Sequence, residues 1–141
     1  MILYLDTSDL LKLYLEEEGS ERVEAAVARA SQLTTSLITY AEARAALAKA
    51  RRLGSMPDGS YSQTVATFES QWDSVSRVDV SEDIVRTAGE LAERNDLRGY
   101  DAVHLASALL VQKESRSRVL FSTSDRDLRA AADNEGLRAP S

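Results

Sequence analysis

With 141 residues the chain is long enough to bury about two-thirds of its unfolded surface in one domain, and 43% hydrophobic with 28% charged residues is the balance of a soluble globular protein. Cysteine is absent, which excludes disulfides, thiolate metal centres and a Cys-His nucleophile, and the single histidine excludes a poly-histidine metal centre and leaves no credible Ser-His pairing. A net charge of −6 argues against general nucleic-acid binding but leaves room for a local basic groove. Lys49, Arg51 and Arg52, with Arg44 before them, are the densest basic group, and they also suit a solvated helix end. The apolar run after Met1 is too short for a signal peptide and no window approaches a membrane span, so a cytoplasmic protein is expected.

In chain order, Ile2 to Leu5 reads as a buried parallel-type strand and Ser8 to Glu16 as a helix. Val23, Ala26, Val27 and Ala30 mark a second helix, and Leu33 to Ser36 is a short β-prone run. Thr39 to Leu53 is an alanine-rich helix ended by Gly54, followed by the loop SMPDGS. Tyr61, Val65, Phe68 and Trp72 form a helical stripe that suits a core or a partner surface. Arg77 to Val80 is β-prone, and a helix capped by Ser81 carries Ile84, Val85, Ala88, Leu91 and Ala92. Tyr100 to Lys113 is a helix, Val119 to Ser122 a strand, Asp125 to Asn134 a last helix, and Leu137 to Ala139 a candidate final strand. Strands alternating with helices predict an α/β layer fold around a parallel sheet, whose ligands bind beyond the carboxyl ends of the strands.

Acids fall at those ends. Asp6 follows the first strand, Asp125 the strand ending at Ser122, and Glu42 and Asp101 lie in the first turns of their helices. Each has a plain alternative as a cap: Thr39 to Glu42 and Ser124 to Asp127 are capping-box patterns, and Asp101 suits a helix dipole. Asp6 resists that reading, because Ser8 is better placed as a cap and a carboxylate ending an apolar strand is costly without a partner. Four carboxylates about 5 Å apart would repel by roughly 3 kcal/mol per pair at an effective dielectric near 20. Such a group must bind protons or a cation, and all-oxygen ligands select Mg²⁺ or Mn²⁺. That site suits hydrolysis of a phosphodiester by metal-activated water. Ser8, Thr123, His104 and Asp127 are weaker candidates for a supporting or substrate contact. An alternative is a receiver-like phosphoacceptor or metal-binding regulatory module, although no lysine stands at a later strand end.

The stretches ILYLDTSDLLKLYLEEEGSE, SLITYAEARAAL, GYDAVHLASALL and FSTSDRDLRAAA occur in the order and spacing of the PIN-domain family, and most resemble the VapC-type ribonuclease toxins of bacterial toxin–antitoxin pairs. The resemblance covers nearly the whole chain, as one domain over residues 1–141. It implies a three-layer α/β/α fold with a central parallel sheet of four to five short strands and a Mg²⁺- or Mn²⁺-dependent endoribonuclease. Asp6 and Asp101 then match the principal metal-binding acids, Glu42 and Asp125 complete the quartet, and Thr123 matches the hydroxyl before the last acid. RNA as substrate, a cognate antitoxin, and a homodimer or toxin–antitoxin assembly are also implied. Asp9 departs from the small residue usual at its position, and could bind metal, repel RNA phosphate or face solvent.

Overall fold

The computed structural model describes all residues, 1–141. Four parallel strands form one sheet: β1 (Ile2–Leu5), β2 (Gln32–Ser36), β3 (Ser76–Val78) and β4 (Val119–Ser122), in the order β3-β2-β1-β4. The helices are α1 (Thr7–Leu11), α2 (Ser20–Arg29), α3 (Thr39–Arg52), α4 (Tyr61–Trp72), α5 (Glu82–Asn95), α6 (Gly99–Glu114) and α7 (Arg126–Asn134).

β1 is apolar without alternation because both its faces are covered. Its side chains alternate between the layers. Ile2 and Tyr4 enter one core with residues of α5, α6 and α7, while Leu3 and Leu5 enter the other with residues of α1 to α4. Tyr4 is paired in register with Phe121, and their rings stack at 5.5 Å. The stripe on α4 is core: Phe68 is buried, and Tyr61, Val65 and Trp72 pack around the second cluster. This is the expected three-layer α/β/α arrangement.

Four expectations need correction. The first helix ends at Leu11 rather than Glu16. Leu13 and Tyr14 turn more tightly, donating to the carbonyls three residues back, which lays Leu13, Tyr14 and Leu15 against the core together. Asp6, not Ser8, is the N-cap of α1: its carboxylate accepts from the Asp9 amide, and Ser8 donates to Asp6. β3 begins and ends slightly earlier than the β-prone run, because pairing runs from Thr34–Ser76 to Ser36–Val78. The last segment makes one bridge, Leu120 with Arg138, rather than a strand. Leu137 nevertheless fills the core there.

Candidate active site at the carboxyl edge

Parallel register brings the ends of β1, β2 and β4 to one edge. The Asp6 amide donates to the Ser122 carbonyl, so the β1–α1 and β4–α7 turns lie side by side. Asp6 is buried at 4% exposure. One oxygen accepts from the Ser8 hydroxyl at 2.7 Å and the Asp9 amide at 2.9 Å, and the other from the Thr123 hydroxyl. Burial pushes its carboxyl above the usual range, and the hydrogen bonds from Thr123, Asp9 and Ser8 only partly offset this.

Thr123 continues the connection by accepting from the Asp125 amide at 3.0 Å. Asp125 caps α7 through the Leu128 amide, displacing Ser124 from the capping role that the sequence pattern suggested. Its other oxygen meets Arg98, whose guanidinium also meets Asp101. The distances are 3.2 Å and 3.1 Å, so one cation bridges the N-termini of α6 and α7.

Glu42 sits apart from that bridge. Ile38, not Thr39, precedes α3 as its cap residue, and Thr39 turns its hydroxyl to Thr35 and Thr7, so no capping box forms. The Glu42 carboxylate accepts from Thr7 at 2.6 Å and from His104 Nε2 at 3.0 Å. Burial alone would raise its pKa, but the hydrogen bonds from His104 and Thr7 outweigh it and hold it below the usual carboxylate range. His104 is buried on the inner face of α6. Its Nε2 faces Glu42, and the Tyr4 hydroxyl lies 2.9 Å from its Nδ1.

Asp9 is fully buried and does not face solvent. Arg22 grips both its oxygens, at 3.2 and 3.3 Å, and the Ser122 and Ser124 hydroxyls donate to it. With its oxygens occupied by four donors, Asp9 is an internal pin between α1, α2 and the β4–α7 turn. Asp127 is exposed in the first turn of α7.

The edge therefore gathers Asp6, Asp101, Asp125 and Glu42, but as partnered groups, and no three of the acids or the histidine converge on one metal-sized point. The donor chemistry fits a hard cation, since every candidate ligand is a carboxylate oxygen and the Arg98 guanidinium already occupies the space between Asp101 and Asp125. Sequence reasoning missed Thr7, Tyr4, Arg98 and Arg22. Thr7 sits inside the Asp6–Ser8 turn, and Arg98 three residues before Asp101, so local spacing could have found both. Tyr4 and Arg22 act across the fold and left no local signal.

The PIN domain family model matches residues 3–134. The chain belongs to the PIN-domain family. This PIN domain is 33% identical over 137 residues to Ribonuclease VapC45 of Mycobacterium tuberculosis, covering 97% of this chain and 93% of the relative. Its fold also matches FitAcB from Neisseria gonorrhoeae, with a TM-score of 0.66 at 19% identity over 100% of this chain and 97% of the other. A toxin–antitoxin complex from Klebsiella pneumoniae gives 0.64 at 24% identity, over 89% and 88%. No helix of this PIN domain is long and apolar enough to cross a membrane.

Proposed function

We propose that this PIN domain is an endoribonuclease toxin of a toxin–antitoxin pair, hydrolysing RNA phosphodiesters at Asp6, Asp101, Asp125 and Glu42. The observation that carries the reading is the linked carboxylate edge, in which Thr123 joins Asp6 to Asp125 and Arg98 joins Asp125 to Asp101. Kinship to a protein named a ribonuclease supports the substrate class, and likeness to a toxin–antitoxin complex supports an antitoxin partner. Family membership favours this reading over a receiver-like phosphoacceptor.

A hard divalent cation, Mg²⁺ or Mn²⁺, held by Asp6 and Asp101 with Asp125 and Glu42, would polarise the phosphate and acidify a bound water. The protein's own groups prepare the carboxylates. Thr123 and Ser8 fix both oxygens of Asp6. Thr7 and His104 keep Glu42 ionised and oriented. Arg98, 81% exposed, is free to leave its two acids and meet a phosphate. A homodimer or a toxin–antitoxin hetero-oligomer is part of the same proposal.

The test is cleavage of RNA in Mg²⁺. We expect wild type to cut, Asp6→Asn and Asp101→Asn each to fall by at least about a hundredfold, the scale of losing one preorganised charged group, and EDTA to abolish the reaction. Equal cleavage by both variants in EDTA would refute the assignment.

A further inference from the structure

Beside the acids lies a second polar recess of about 460 Å³, lined by Lys12, Glu17, Glu18, Gly19, Arg22, Ser124 and Arg129, with no hydrophobic side chain. It opens next to Asp125, because Ser124 is shared between its wall and the β4–α7 turn. Its charges are unequally committed. Arg22 is matched by the buried Asp9, so that pair contributes little net field. Arg129, one turn after Asp125 on α7, donates to the Thr123 carbonyl at 2.8 Å and pairs with no carboxylate. Lys12 has a side chain only 10% exposed and meets Glu17 loosely at 3.5 Å, while Glu17 is 45% exposed. Lys12 is the enclosed cation of the recess, and Arg22, Arg129, Glu17 and Glu18 are exposed around it. Gly19, at φ +92, brings the chain into α2 with its backbone close to Lys12 and Arg22. The first turn of α2 receives no side-chain cap, which adds the positive end of its dipole to the same wall.

We infer that this recess binds a backbone phosphate of the RNA strand, beside the phosphodiester that meets the acids. The inference rests on the nuclease reading and explains how a chain of net charge −6 holds a polyanion next to a carboxylate edge. Asp9 does not spoil the recess, since Arg22 neutralises it. The basic group at Lys49, Arg51 and Arg52 lies at the opposite end of α3 from Glu42 and is not needed for this interaction.

The test uses a fluorescently labelled, random-sequence single-stranded RNA pool, titrated by anisotropy in EDTA so that no cleavage intervenes, at several salt concentrations. Arg129→Gln and Lys12→Gln should each weaken binding several-fold and lower the slope of log K against log salt by about 0.7, the value for one phosphate no longer neutralised. Arg129→Lys, keeping the charge, should recover most of the affinity. Lys49→Gln, with the same change in net charge, should match wild type in both affinity and slope. If Arg129→Gln and Lys12→Gln bind like Lys49→Gln, the recess is not a phosphate site and the nuclease reading stands. If wild type binds no RNA in EDTA, the recess is not a phosphate site, and the nuclease reading is decided by the cleavage assay in Mg²⁺. Melting curves for each variant distinguish a weakened site from a disturbed fold: a variant that binds less RNA yet melts like wild type supports the site. If both weakened variants prove unfolded and Arg129→Lys, folded, binds no better than they do, the site is rejected.

Discussion

Asp9 shows how far a single side chain can depart from what its neighbours in sequence suggest. It stands on a five-residue helix beside Asp6, yet its partners are Arg22 on α2, Ser122 at the end of β4 and Ser124 in the β4–α7 turn. Those partners lie 13 and more than 110 residues away, so no local pattern could choose among metal ligand, phosphate repeller and solvent-facing acid. A buried carboxylate left without its cation typically costs about 3 kcal/mol or more, whereas replacing both partners by apolar groups is far milder. Arg22→Met should therefore lower Tm by about 10 °C, on the scale of roughly 2–4 °C per kcal/mol for a chain this size. The double change Asp9→Ala with Arg22→Met should recover most of that loss, read as a coupling in a thermal double-mutant cycle. Additive losses would show that Asp9 and Arg22 act independently.

The alternation of strands and helices is legible in the sequence because period and punctuation are local properties. Apolar runs mark β1 and β4, a 3.6-residue period marks α2 and α5, and Ser81 reads correctly as a cap because its bond to the Ile84 amide spans three residues. The capping boxes at Thr39 and Ser124 fail because other partners take the hydroxyls: Thr35, four residues back, and Thr7 on α1 take that of Thr39, and Asp9 takes that of Ser124. The acids stand at their strand ends as the sequence suggests, but their mutual arrangement depends on Arg98. That residue clamps the start of α6 to the cap of α7, and it uses the carboxylate oxygens a divalent cation would use. Cation and guanidinium must then compete. Arg98→Gln should tighten Mn²⁺ binding by up to about fivefold, the weight of an exposed ion pair, measured by isothermal titration. The same variant should melt lower than wild type in EDTA and gain more from Mn²⁺. An unchanged Mn²⁺ affinity would mean that the cation binds without displacing Arg98.

Across the whole molecule the central strand passes from two apolar cores straight into a buried acid, so the stability of the fold and the charge of the edge are linked through Asp6. Its pKa is raised because burial penalises the carboxylate more than Thr123, the Asp9 amide and Ser8 can compensate. The folded state therefore takes up a proton at Asp6 more readily than the unfolded chain. The stabilisation is fully present below the unfolded carboxylate pKa and is lost as pH rises through the raised folded value. Glu42 has the opposite sign: burial is overcome by His104 and Thr7, so its contribution is present above the unfolded pKa and lost as pH falls through the lowered one. In wild type the two trends act in adjacent windows, Glu42 below the ordinary carboxylate pKa and Asp6 above it, and the other acids titrate in the same range. Asp6→Asn isolates the first. Asparagine keeps an oxygen for Ser8 and the Asp9 amide and carries no charge at any pH. In EDTA near neutrality this variant should melt above wild type, and the gap should close as pH falls through the raised pKa of Asp6. A divalent cation should close it as well, by raising wild type alone. A gap that ignores pH would instead point to packing at residue 6, and one that ignores metal would remove Asp6 from the proposed ligand set.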